Sequence, residues 1–208
     1  MVQMIINILL SYLAGSISGS IVLGKMIGVD VRKMGSGNAG GTNAFRTVGP
    51  VFALGVIIID VLKGVISVLY ISQLKFSNNI SLMHNELFLI GCAIAAVLGH
   101  VYPIYHNFKG GKGAGTLVGI IAVLFPQCIL YSLLGWFVTL IFTGFVGLST
   151  MIAGIILVVT AYLLSIHYLY LYFSILMAVF IIFTHRSNIS RMLDGSENRF
   201  EKIMIFKK

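Results

Sequence analysis

The chain has 208 residues and a net charge of +8; 58% of its residues are hydrophobic and only 10% charged, with a mean hydropathy of +1.01. That balance excludes an ordinary soluble domain. Long apolar runs without period-2 alternation also exclude a transmembrane barrel, leaving helices as the way to satisfy the backbone in lipid.

The first apolar run covers roughly residues 2–24 and predicts a membrane span. No Lys or Arg precedes it and no small-x-small cleavage site follows it, so no cleavable signal is expected. Ser11, Gly15 and Gly19 recur every fourth residue, as do Ser16, Ser20 and Gly24. Small residues at that spacing predict close helix packing. A polar cluster follows: Gly35-Ser36-Gly37-Asn38-Ala39-Gly40-Gly41-Thr42-Asn43, with Arg46 just beyond. Its glycines permit positive φ and close approach of N–H groups to an anion. Ser36, Asn38, Thr42 and Asn43 add neutral donors, and Arg46 a planar fork suited to phosphate. The Gly-Lys-Ser/Thr ending of a Walker A loop is absent.

After Gly49-Pro50, a second span is expected at 51–73. Asp60 and Lys63 lie one turn apart within it and should pair or bind something inside the bundle, since isolated charges there cost several kcal/mol. Lys75 and Glu86 are the only charges before a third span at 86–105, which carries Gly99-His100 and ends near Tyr102-Pro103. The second cluster, Phe108-Lys109-Gly110-Gly111-Lys112-Gly113, follows directly. Lysines on a glycine hinge before a helix predict an anion site; membrane anchoring needs charge but not those glycines.

From Ala114 to Thr184 there is no Lys, Arg, Asp or Glu. Turn signals at Pro126, Gly144-Phe145-Val146-Gly147 and Ser165-Ile166-His167 favour four short helices of about 17 residues over two long ones, near the lower limit for spanning. The expected fold is a single all-α domain over 1–208, a polytopic bundle of about seven helices, with five as the alternative. Cys92 and Cys128 lie in apolar runs and read as buried small hydrophobes. The third cluster is His185-Arg186-Ser187-Asn188-Ile189 with Arg191; a helical turn brings His185 and Asn188 to one face. His84, His106 and His167 lack such company.

Basic residues crowd the three clusters and the tail (Arg186 to Lys208), so the positive-inside rule places the clusters and the C-terminus in the cytoplasm and the N-terminus outside. The tail suits an anionic leaflet rather than nucleic acid. No Ser-His-Asp order or metal-ligand spacing is present, and no His-x4-Asp: the fifth residue after His100 is Tyr105, and after His185 it is Ser190.

Taken together, the clusters closely resemble the bacterial acyl-phosphate:glycerol-3-phosphate acyltransferases, integral membrane enzymes of phospholipid synthesis. The resemblance spans nearly the whole chain and includes Asp60 with Lys63-Gly64, Pro103, Gly195 and Glu197 as well as the three clusters. It departs at Ala114-Gly115-Thr116, where the family has Val-Ala-Thr, and at Met192, where it has Leu. The resemblance implies seven helices in the bacterial cytoplasmic membrane and a site facing the cytoplasm. It implies acyl phosphate as donor, glycerol 3-phosphate as acceptor and no cofactor; a transient contact with the enzyme that makes the acyl phosphate fits it. Ser36, Arg46, Lys112, His185 and Asn188 are then the expected catalytic residues. Gly37, Asn38, Gly40, Gly41, Thr42, Asn43, Lys109, Gly110, Gly111 and Arg191 are the expected substrate-binding residues. The rival readings are a transporter of a phosphorylated anion and a non-catalytic paralogue.

Overall fold

A computed structural model describes residues 2–74 and 86–205, apart from the side chain of Lys202. Lys75, Asn78 in the expected outer loop, His84, Lys207 and Lys208 lie outside the described residues. Among those described, ten α-helices are joined by turns and short 3-10 segments, with no strand. The helices group into two compact units, 1–124 and 125–208.

The first unit holds α1 (Val2–Gly15), α2 (Gly19–Met26), α3 (Gly41–Thr47), α4 (Pro50–Leu69), α5 (Glu86–Val101) and α6 (Ala114–Leu124). On α1 and part of α4 the packing is inverted relative to a soluble core. On α1 the buried stripe is Gln3, Asn7, Ser11 and Gly15; on α4, Asp60, Lys63, Gly64 and Ser67 are buried while Leu54, Ile58 and Leu62 are exposed. Polar residues inside and large apolar residues outside is the arrangement a lipid solvent selects. Gln3 and Asn7 donate side-chain hydrogen bonds to the carbonyls of Leu74 and, for Asn7, Ser72, beyond the end of α4.

The expected small-residue packing is present. A Cβ on Gly15 would strike Ala96 of α5, and one on Gly99 would strike Tyr12 and Ser16. Likewise Gly64 of α4 rests on the Thr116 carbonyl and Gly119 of α6 on that of Val61, so α4 and α6 touch backbone to backbone.

The first span is not continuous. It breaks at residues 16–18, and α1 and α2 meet at 48°. A break exposes carbonyls at the end of one helix and N–H groups at the start of the next. Lys63 and Asp60 answer both. Lys63 Nζ donates to the Ile17 carbonyl at 2.8 Å, and Gly19 N faces Asp60 Oδ1 at 3.4 Å. The two side chains pair with each other at 3.0 Å and are each only 5% exposed. A cation at a helix C-terminus and an anion at an N-terminus also match the helix dipoles.

The second unit holds α7 (Ile129–Thr143), α8 (Val146–Leu163), α9 (Tyr168–Thr184) and α10 (Arg186–Leu193). The charge-free stretch breaks at the three expected points: a 3-10 turn from Pro126, Gly144 at φ +72° and Ser165 at φ +50°. The four helices produced, α6 to α9, have 11, 15, 18 and 17 residues. The expectation of four near-equal crossings needs one correction: α6 rises only about 16 Å, short of a hydrocarbon core of about 30 Å. Among the described residues, four helical segments are long and apolar enough to cross a membrane, or six if each bent pair counts as one span. The second bent pair is α9–α10, at 51°.

Candidate active site

The first polar cluster wraps around one side chain. Asn43, 2% exposed, donates through Nδ2 to the carbonyls of Val31, Met34 and Asn38, each at 3.0 Å, and its Oδ1 accepts from Ser36 N at 3.0 Å. One amide thereby closes a loop that spans twelve residues. Gly35 (φ +54°) and Gly37 (φ +72°) supply the left-handed backbone the turn requires, and Gly37 N donates to Met34 O at 3.0 Å. Ser20 of α2 fastens the loop from beneath, its hydroxyl donating to Ala39 O at 2.7 Å.

Two of the expected substrate contacts also bond within the loop. Asn43 donates to three carbonyls of the loop, and the Gly37 N–H closes a turn on Met34 O. Asn38 lies over Gly40, and Gly41 lets α3 close onto Ile57 of α4. Ser36 is exposed at the loop tip, while Thr42 and Arg46, one turn apart on α3, are half-buried. The neighbouring Arg32 is engaged with Asp30 through two side-chain hydrogen bonds at 3.0 Å, which hold the Asp30 carboxyl below its ordinary value.

The second cluster folds back on the end of α5. Asn107 and Phe108 take left-handed φ of 53° and 58°, an uncommon pair for non-glycine residues. Gly110 N then donates to Val101 O at 3.2 Å and Gly111 N to His100 O at 3.1 Å. These two glycine N–H groups hold the loop on α5. The glycines are needed for approach. A Cβ on Gly110 would meet Pro103 at 2.7 Å, and one on Gly111 would overlap the His100 ring at Nε2. Lys109 is exposed and Lys112 half-buried, two residues before α6 begins. Gly115, where the sequence departs from its resemblance, brings α6 against Asp60; a Cβ there would lie 3.2 Å from the Asp60 Cβ.

In the second unit His185 sits at the α9–α10 bend, 5% exposed, with Nδ1 2.8 Å from the Ile181 carbonyl. A carbonyl only accepts, so Nδ1 carries the proton and Nε2 of the neutral ring is an acceptor. Asn188, one turn into α10, packs on Gly147 of α8 and donates to Glu197 Oε1 at 2.9 Å. Arg191 Nε donates to Glu197 Oε2 at 2.6 Å, and Glu197 N returns a bond to Arg191 O at 2.9 Å. Arg191 therefore spends its Nε donor on the protein. Glu197, 8% exposed, is the organiser that the sequence pattern does not reveal. Its signal in the sequence is its place, with Gly195, at the end of the series of motif residues.

The chain is similar over nearly its whole length to known proteins. The model of the glycerol-3-phosphate acyltransferase family matches residues 5–195. Glycerol-3-phosphate acyltransferase 2 of Bacillus anthracis is 39% identical over 196 residues, covering 94% of this chain and 98% of the relative. The glycerol-3-phosphate acyltransferase of Bacillus subtilis (strain 168) is 38% identical over 191 residues, covering 91% and 94%. Among solved structures, PlsY (YgiH), an integral membrane glycerol 3-phosphate acyltransferase in its glycerol 3-phosphate form, superimposes with a TM-score of 0.84 at 33% identity over 95% of both chains. Its lysophosphatidic acid form gives 0.82 at 32% identity.

Proposed function

This chain belongs to the glycerol-3-phosphate acyltransferase family, and we propose that its acyl donor is an acyl phosphate. The glycerol 1-hydroxyl attacks the mixed-anhydride carbonyl, the carbonyl carbon–phosphoryl oxygen bond breaks, and inorganic phosphate leaves as 1-acyl-glycerol 3-phosphate forms. The hydroxyl proton passes to a phosphate oxygen of the substrate. Phosphate is already a good leaving group, so positioning carries most of the burden; well-oriented reactants alone can lower a barrier by about 7–11 kcal/mol.

The observation that carries this reading is the state of the two glycine loops. Several of their own N–H groups are bound within the protein, so their chemical contribution is the side chains they deliver: Ser36, Thr42 and Arg46 from the first region, Lys109 and Lys112 from the second. Ser36 and Thr42, with the Asn38, Gly40 and Gly41 segment, hold the acyl phosphate. Arg46, Lys109 and Lys112 neutralise substrate phosphates and transition-state charge. His185 Nε2 accepts from a glycerol hydroxyl and Asn188 orients another, both steadied by the Ile181 carbonyl and the Glu197–Arg191 pair. The product feeds phospholipid synthesis at a bacterial cytoplasmic membrane. Transfer from acyl phosphate to labelled glycerol 3-phosphate by purified protein tests the reading; a transporter would instead move intact glycerol 3-phosphate into vesicles.

In this orientation the N-terminus is outside and the three clusters are cytoplasmic. Single cysteines at Ser36, Lys109 and Ser187, all exposed, should react with an impermeant maleimide only from the cytoplasmic side. Lys109 is the better probe of the second loop, because a side chain at Gly111 collides with His100. Cys92 and Cys128 are fully buried and should stay silent. Labelling of Lys109→Cys and Ser187→Cys from opposite sides would separate the substrate-holding groups and overturn the orientation.

A further inference from the structure

The reaction as written makes no use of the buried Asp60–Lys63–His100 cluster. We propose that this cluster is a positioning device that sets both glycine loops, and that His100 acts on catalysis through Lys112. The proposal rests on the reading of Lys112 as a phosphate-facing cation.

Lys112 lies between two glycines that each rest on a member of the cluster. On one side Gly111 lies against His100 Nε2, so closely that no side chain fits between them; on the other, Gly115 leaves Asp60 in van der Waals reach of α6. His100 is 5% exposed, and its Nδ1 faces Asp60 Oδ1 at 3.5 Å, longer than a well-formed hydrogen bond. Its carbonyl also receives the Gly111 N–H. Ring and backbone of one residue thus form the floor of the second loop.

The same carboxylate reaches the first loop. Asp60 Oδ1 faces Gly19 N, and the next residue, Ser20, holds Ala39 O at 2.7 Å. Lys63 completes the arrangement by pairing with Asp60 and binding Ile17 O on the other side of the helix break. A purely apolar contact would let α4, α5 and α6 slide by fractions of an ångström. The bonds from Lys63 to Ile17 O and from Gly19 N to Asp60 fix α4 on the helix break, and the His100 ring set against Asp60 places α5 beside it; fixing register is the best-attested use of buried polar groups. A misplacement of about 1 Å at a reacting centre can cost about 100-fold in rate. The cluster therefore holds the spacing between the loop carrying Ser36 and the loop carrying Lys112.

A double-mutant cycle separates this role from general stabilisation. His100→Ala should lower kcat roughly 10- to 100-fold with KM for glycerol 3-phosphate changed less than about 3-fold. In a Lys112→Ala background the same substitution should cost less than about 2-fold, since its effect runs through a group already removed. His100→Gln, which keeps a polar terminus against Gly111, should regain part of the loss. Gel filtration and thermal unfolding in detergent check each variant, and His100→Gln carries the cycle alone if the alanine variant does not fold. Losses that multiply independently in the double variant would overturn the proposal. Failure of the acyl-phosphate reading would appear separately, as wild-type turnover with a thioester donor only, and the cycle is then read with that donor.

Discussion

Lys112→Ala is expected to lower acyl transfer about 100- to 1000-fold, roughly 3–4 kcal/mol of lost transition-state stabilisation, while the protein stays folded in detergent. Lys112 is half-buried just before α6, on a loop whose Gly110 and Gly111 N–H groups already bind α5. The ammonium is then the main charge this loop offers to a developing phosphate. Lys112→Arg retains charge with a different shape and should recover only part of the rate. Lys109 is exposed, and Lys109→Ala should cost less. Rates near normal for Lys112→Ala, both at saturation and far below it, would reduce this lysine to a membrane anchor.

Asp60→Ala should have the largest effect on stability. It leaves Lys63 buried without its counter-charge, an outcome that costs about 3–5 kcal/mol where it has been measured, and it removes the acceptor facing Gly19 N at the helix break. Lys63→Met alone should be similarly harmful, because the Asp60 charge is then stranded and the Ile17 carbonyl loses its donor. The double variant Asp60→Leu/Lys63→Met should recover a large share of the thermal midpoint, since no charge remains buried. Midpoints for the double variant as low as for either single variant would show that capping the helix break, rather than charge compensation, dominates.

The parts of this structure legible in the sequence are those set by local chemistry. Pro126, Gly144 and Ser165 mark real helix breaks because each acts on the backbone where it stands. The small-residue spacing reports helix approach for a similar reason: without a Cβ, Gly15 and Gly64 present flat backbone to a neighbour. The Asp60–Lys63 ion pair was legible too, as two charges one turn apart on a buried face. The bend at residues 16–18 was not, since no proline marks it and its compensation comes from α4, more than forty residues away.

The site divides along the same line. The three clusters stand out by composition, but the division of labour within them depends on contacts that local pattern does not encode. Asn43 has the side chain of a ligand-binding residue and also fastens its own loop. Gly110 and Gly111 look like a phosphate cradle, yet their N–H groups return to α5. Glu197 matters because Asn188 and Arg191 both converge on it, from six to nine residues upstream. In each case a polar group that composition marks as a donor has been claimed first by a nearby backbone or carboxylate.

The donor decides the central claim most directly. Purified protein in a chelator-containing buffer, given labelled glycerol 3-phosphate, should form 1-acyl-glycerol 3-phosphate from acyl phosphate and release one phosphate for each acyl group transferred. Rapid turnover with an acyl thioester and none with acyl phosphate would contradict it.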